Sequence, residues 1–158
     1  MAKQTVKQLF LETIADLLHS ESAKRMKQYR QHGKISTFDH SLNVAYCSYV
    51  LCVRFFKKAN ATSVARGAFL HDFYLYDWHK TSGVKFHGIF HPAIALKNAQ
   101  QYFELNDIEK NIISSHMWPL TLRALPRCKE SFIVCIIDKW CAINETFGRI
   151  KININLPN

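Results

Sequence analysis

The chain has 158 residues, of which 48% are hydrophobic and 21% charged. That length suits one domain with a core that needs no disulfide or structural metal, and the wealth of apolar residues excludes disorder as the main state. Apolar runs such as Phe132 to Ile137 fall far short of the ~18 residues of a membrane span. Glu12 and Asp16 interrupt the first apolar stretch, which therefore reads as an amphipathic helix and not as a secretory signal. Twenty-one Lys and Arg against twelve Asp and Glu leave a charge of +9, which favours anionic partners. The basic residues are scattered. Their densest group, Lys24, Arg25, Lys27, Arg30 and Lys34, has the spacing of a solvated helix face, so nucleic acid is not the favoured partner.

In chain order the apolar residues repeat at three and four. Val6, Leu9, Phe10, Ile14, Leu17 and Leu18 predict a first helix. Leu42, Tyr46, Tyr49, Val50, Val53 and Phe56 predict a longer one over about 39–58. Ser63 to Leu70 gives a short third, weakened by Gly67. Ile94, Ala99, Tyr102 and Phe103 mark a fourth with Pro92 in its first turn. Asn106 or Asp107 can cap a fifth carrying Ile108 and Ile112, and a last helix covers about 130–146. Residues 73–90 and 117–129 read as loops. From Ile150 onward the chain alternates weakly, as a short strand or a loose tail. The expectation is an all-α fold: a single helical-bundle domain over 1–149 with a tail over 150–158. Cys47, Cys52, Cys128, Cys135 and Cys141 form no CxxC pair and sit mostly in apolar helical stretches. They read as the reduced cysteines of a cytoplasmic protein and not as a zinc finger.

Three polar features do not fit plain helix packing: His71-Asp72 directly after Ala68-Phe69-Leu70, His116 on the stripe of Ile108 and Ile112, and Asp138 at the end of an apolar run. A buried carboxylate without a partner costs several kcal/mol, so such groups are paired, protonated or metal-bound. Each alone has an ordinary structural explanation. Together, His40, His71, Asp72, His91, His116 and Asp138 supply imidazole and carboxylate without thiolate, which suits zinc, iron, manganese and related divalent metals.

The order His40, His71-Asp72, Asp138 resembles the H…HD…D signature of the HD-domain metal-dependent phosphohydrolases. The contexts are FDHSLNVA, GAFLHDF and IIDKWCA, and the resemblance covers residues 38–142. It implies a helical bundle in which His40, His71, Asp72 and Asp138 hold one divalent metal. FHPAIALKNA around His91 and IISSHMWPL around His116 are similar to the second-metal histidines of binuclear branches such as the HD-GYP phosphodiesterases. Asp72 would then bridge to a second metal held by His91 and His116. The GYP motif is absent and HDFYLYDWHK replaces the usual HD-(I/V)-G-K, so cyclic di-GMP hydrolysis does not transfer. The phrases LHDFYLYDWH and HMWPL look instead like small bacterial single-domain HD proteins.

The implied chemistry is attack of a metal-activated hydroxide on a phosphate mono- or diester, with two ions, iron, manganese or similar, clamping the phosphoryl oxygens. From Asp39 to Phe103 seven cations, Lys80 among them, stand against Asp39, Asp72 and Asp77, which suits a nucleotide or similar small phosphorylated substrate. Lys139 and Lys80 are candidate phosphate contacts. Tyr74, Tyr76, Trp78 and Phe86 in the 73–90 loop can stack on a base or pack the bundle end. His79 and His87 are candidate acids for the leaving oxygen, alongside Asp72 at the reacting centre. His19 and His32 read as helix-end residues. Two alternatives share the fold: an HD-type di-iron oxygenase, and a non-catalytic protein that binds nucleotide or RNA.

Overall fold

The computed structural model describes residues 4–79 and 87–149. Among them are eight helices: α1 (Val6–Thr13), α2 (Ala15–His19), α3 (Glu21–Lys24), α4 (Thr37–Phe55), α5 (Ala61–Leu70), α6 (His87–Tyr102), α7 (Asp107–Ser115) and α8 (Lys129–Thr146). A 3-10 turn (Arg25–Gln28) and an antiparallel hairpin, β1 (Arg30–His32) and β2 (Ile35–Ser36), join α3 to α4. The fold is all-α, as expected, and no helix among the described residues is long and apolar enough to cross a membrane. The tail over 150–158 lies outside the described residues.

Side-chain caps set where most of the long helices begin. Thr5 and Gln8 form a capping box before α1, and Asn106 and Glu109 form one before α7. Ser36 accepts from the backbone N–H of Asp39 and so starts α4 three residues before His40. Asn60 caps α5 in the same way.

Three boundaries differ from the sequence reading. The first helix is broken at Ile14 (φ −113°, ψ 17°), which divides α1 from α2 yet leaves Phe10, Ile14 and Leu17 fully buried. The hairpin was not expected, because only two or three residues a side pair, around Gly33 at φ 56°. The fourth helix begins at His87, so Pro92 lies in its second turn and not its first. Its missing N–H costs one backbone bond there.

Helix α5 is the central element. Ser63, Val64, Ala65 and the run Gly67–Leu70 are all buried, and α5 packs against α4, α7, α8, α6 and α1. Phe38 meets Phe69 edge-on at 5.4 Å, and Phe10 meets Tyr46 and Tyr49 at 5.2 and 5.5 Å. Arg66 donates to Asp16 at 2.7 Å and lies 3.2 Å from Glu109, tying α5 to α2 and α7.

Gly67 has a specific reason to be glycine. A Cβ built there would lie 2.8 Å from Ile112 Cδ1 and 3.0 Å from Ile112 Cβ. The small residue lets α7 approach the central helix, and that approach places His116. Gly67→Ala should therefore destabilise by about 1–3 kcal/mol despite its better helix propensity. Thermal unfolding of Gly67→Ala and of Gly67→Ala/Ile112→Val checks this, with the second change recovering part of the loss.

Candidate metal centre

Five helices deliver six side chains to one buried point. His40 comes from the first turn of α4, His91 from α6 and Asp138 from α8. His71 and His116 occupy the same local position, the C-cap of α5 and of α7 respectively. Each ring turns back on its own helix, Nδ1 bonding the carbonyl three residues earlier: Ala68 at 2.6 Å and Ile113 at 2.8 Å. Asp72 follows His71 directly as the helix ends. All six residues are buried.

The partners fix the tautomers. A carbonyl oxygen only accepts, so Nδ1 of His71 and of His116 carries the proton and donates. His40 Nδ1 lies 2.7 Å from the Glu145 carboxylate, which likewise only accepts when ionised. The Nε2 lone pairs of these three rings therefore face the interior. They meet more lone pairs: His40 Nε2 lies 3.0 Å from Asp138 Oδ1, and His71 Nε2 lies 3.3 Å from Asp72 Oδ2 and 3.4 Å from Asp138 Oδ1. On the other side of Asp72, Oδ1 lies 3.1 Å from His91 Nε2 and 3.5 Å from His116 Nε2, and those two nitrogens are 2.8 Å apart. His71 Nε2 and Asp72 Oδ1 have no hydrogen-bond partner although both are fully enclosed.

Acceptors held this close require positive charge between them. In the metal-free protein protons are the available charge. Burial disfavours a charged His40, but the hydrogen bonds to Asp138 and Glu145 outweigh it and push its pKa up to about 9. His71 is raised for a like reason: burial opposes the proton, while Asp72 and Asp138 favour it. Burial would raise Asp72 and Asp138, yet the neighbouring imidazoles hold both well below the carboxylate range. His116 goes the other way. Burial, then repulsion from His71 and His91, pulls it down to about 3 and keeps its lone pair available.

Donor spacing also fits divalent ions. Nitrogen and oxygen ligands about 2.0–2.1 Å from a metal lie about 3.0 Å apart at right angles and about 3.4 Å apart at tetrahedral angles. The separations of 3.0–3.4 Å around Asp72 Oδ2, with His40 Nε2 at 3.8 Å from that oxygen, match one such set. Asp72 Oδ1, His91 and His116, at 2.8–3.5 Å, match a second. The residues fit bound metal, and the two oxygens of Asp72 belong to different sets.

Three supporting residues are not among those the sequence singles out. Glu145 orients His40 and accepts from Asn43 Nδ2 at 2.9 Å. Its signal was present, since it stands seven residues after Asp138 on the same inward face of α8. Asn43 follows His40 by one helical turn. Gln31, from β1, donates to Asp72 Oδ2 at 2.6 Å and is itself held by Tyr74 and Thr37; no spacing rule links it to residue 72.

The remaining candidates are dispersed. Lys139 spends its ammonium on the carbonyls of His116 (2.7 Å) and Cys135 (3.1 Å) and on the Cys135 sulfur (3.3 Å). It braces the His116 turn against α8, so the expected phosphate contact is not the role its geometry gives it. His79 is exposed, 3.6 Å from Asp77, and its ring lies on Trp78 at 3.8 Å. Its described contacts are not with the metal ligands. His87 begins α6 one turn before His91; its side chain and that of His32 lie outside the described residues, as do Lys80 and Phe86. Tyr74 is fully buried with its ring edge-on to His91, which makes it packing and not a stacking platform. Trp78 is half-buried. His19 is exposed at the end of α2, as expected.

A carboxylate that fixes a ligating imidazole from behind typically contributes 10–100-fold to metal affinity. Glu145→Gln should weaken metal binding by about that factor while Asp138 and His40 remain in place. Metal-competition titration of the folded variant measures it.

No curated protein and no solved structure matches the chain. The HD domain family model matches residues 37–143, a span that opens in the first turn of α4 and closes five residues past Asp138. It encloses all six of these buried His and Asp residues, in the order that the geometry assembles into two sets around Asp72. The chain belongs to the HD-domain family, whose members are in general metal-dependent hydrolases.

Proposed function

We propose that this protein is a binuclear metal-dependent phosphohydrolase that cleaves a phosphate mono- or diester of a nucleotide or similar small anion. The observation that carries this reading is Asp72: one buried carboxylate with its two oxygens directed at two separate donor sets. Divalent ions bound there supply Lewis-acid activation of water and neutralise the charge on phosphoryl oxygens.

The protein's own residues prepare that chemistry. The carbonyls of Ala68 and Ile113 and the Glu145 carboxylate hold three rings in the tautomer that aims Nε2 inward. Gln31 fixes the orientation of the shared carboxylate. Water activation by metal leaves Asp72 free of a separate general-base role. Of the two candidate acids, His79 is engaged with Asp77 and Trp78, and His87 opens α6 one helical turn before His91. Trp78 and Lys80 remain the candidates for base and phosphate. The five cysteines are free, which accords with a reducing, cytoplasmic setting.

The decisive variant is Asp72→Ala. Untagged wild-type protein should carry about two equivalents of iron, manganese or a similar ion, since a shared carboxylate implies a paired site. Asp72→Ala should lose both and reduce turnover of bis-p-nitrophenyl phosphate and p-nitrophenyl phosphate to background, with helicity retained. Turnover that survives in Asp72→Ala would sink the assignment. Oxygen uptake that requires iron, without phosphate-ester hydrolysis by any metal form, would move the protein to the oxygenase reading.

A further inference from the structure

The inward face of α8 carries Asp138 and Glu145 into the metal centre. Its outward face is unlike the surface of an ordinary solvated helix. Phe132, Ile136, Trp140, Ile143 and Phe147 are each between 47% and 67% exposed. At 3.6 residues per turn they fall within an arc of about 80°, roughly opposite Asp138 and Glu145. All three acidic residues of α8, Glu130, Asp138 and Glu145, are buried, so none interrupts the stripe. Beside it, α4 adds Phe55 (72% exposed) and Phe56 (42%), and a groove of about 440 Å³ runs between the two helices, lined by Tyr46, Val50, Phe55, Ile136 and Trp140. Contiguous exposed apolar surface on this scale marks an interaction site.

The stripe also reads the same in both directions: Phe, Ile, Trp, Ile, Phe. A two-fold axis through the middle of α8, crossing an antiparallel second copy, sets Phe132 against Phe147, Ile136 against Ile143 and Trp140 against Trp140. A two-fold contact repeats each pairing of i with j as j with i, so in this register every residue of the stripe meets an apolar side chain of like size. The area suffices. Seven half-exposed side chains with full areas of about 150–250 Å² give roughly 700 Å², close to the ~800 Å² per partner of a standard interface.

We propose that α8 is the contact of a homodimer, a second copy of this chain packing antiparallel on the Phe132–Ile136–Trp140–Ile143–Phe147 stripe. Trp140 sits at the centre of that contact, where association energy concentrates. The rim carries like charge. In this register Lys129 of one copy lies near Arg149 of the other, and each chain brings a charge of +9. Apolar attraction at the centre and repulsion at the edge give a definite sign: added salt screens the repulsion and tightens the dimer.

Sedimentation equilibrium of the full chain across micromolar concentrations, at low and high salt, tests this. The expected result is a dimer whose dissociation constant falls as salt rises. Trp140→Glu should raise that constant by at least about 30-fold, the factor of a central hot-spot residue, with helicity and metal content unchanged. Leu122→Glu, on an exposed side chain in the 117–128 loop, serves as the control and should leave the dimer intact. A monomer at all concentrations overturns the proposal, as does a dimer indifferent to Trp140→Glu. A chain that dimerises only after removal of residues 150–158 overturns it too, since its own tail then covers the face.

Discussion

The centre of this protein is a set of lone pairs forced together. Asp72, Asp138 and Glu145 are buried carboxylates, and the imidazoles between them are held so that three Nε2 atoms face inward. Left bare, such an arrangement would repel itself. Protons are one source of compensating charge, and the neighbouring carboxylates accordingly push the pKa of His40 and of His71 up. A divalent cation satisfies the same lone pairs with more charge and fixed geometry. Asp72 Oδ1 and His71 Nε2 are enclosed without a hydrogen-bond partner. A buried polar network that is only partly satisfied is normally unfavourable, and ligand chemistry is the reason to retain one here.

The rest of the architecture holds this cluster in position. Helix ends do much of it: α5 and α7 terminate on His71 and His116, and the ring that joins the centre also bonds a carbonyl of the last helical turn. The ligand position and the helix stop are thereby one feature. Gly67 lets α7 close on α5, and Lys139 ties the His116 turn to α8. Misplacing any of these contacts moves a ligand by a fraction of the distance that separates the two donor sets, so stability and metal affinity are coupled through the same side chains.

Local signals were legible in the sequence, and long-range ones were not. Helix periodicity located the long helices to within a few residues, because each has an apolar face and α1, α4, α5 and α7 have a recognisable cap. His71, Asp72, His116 and Asp138 stand out as polar residues against the apolar pattern, whereas His40 and His91 join them by residue type and by the resemblance to the H…HD…D signature. Pro92 misled, since its usual first-turn position was assumed and tertiary packing carried the helix one turn further back. Lys139 misled for another reason: adjacency to Asp138 in the chain puts it about 100° around the helix, facing a backbone carbonyl. Gln31 could not have been found. Its bond to Asp72 depends on a short hairpin, paired at Arg30 with Ser36 and at His32 with Ile35, that brings positions 31 and 72 together.

Helix α8 shows how much one element can be asked to satisfy. Its buried face must present Asp138 and Glu145 at fixed spacing, with small or thin residues such as Val134 and Cys141 between them to permit close approach. Those demands consume positions 134, 138, 141 and 145, the inward seam of the helix. The opposite seam, 132, 136, 140, 143 and 147, is free of them, and a solvated helix would fill it with charge. Large apolar side chains there lose free energy in water and add nothing to the metal centre. The proposed contact with a second copy would give these side chains a role that the metal centre does not. With a second copy there, α8 is held from both sides, its inward seam by the Asp138 and Glu145 contacts and its outward seam by the partner.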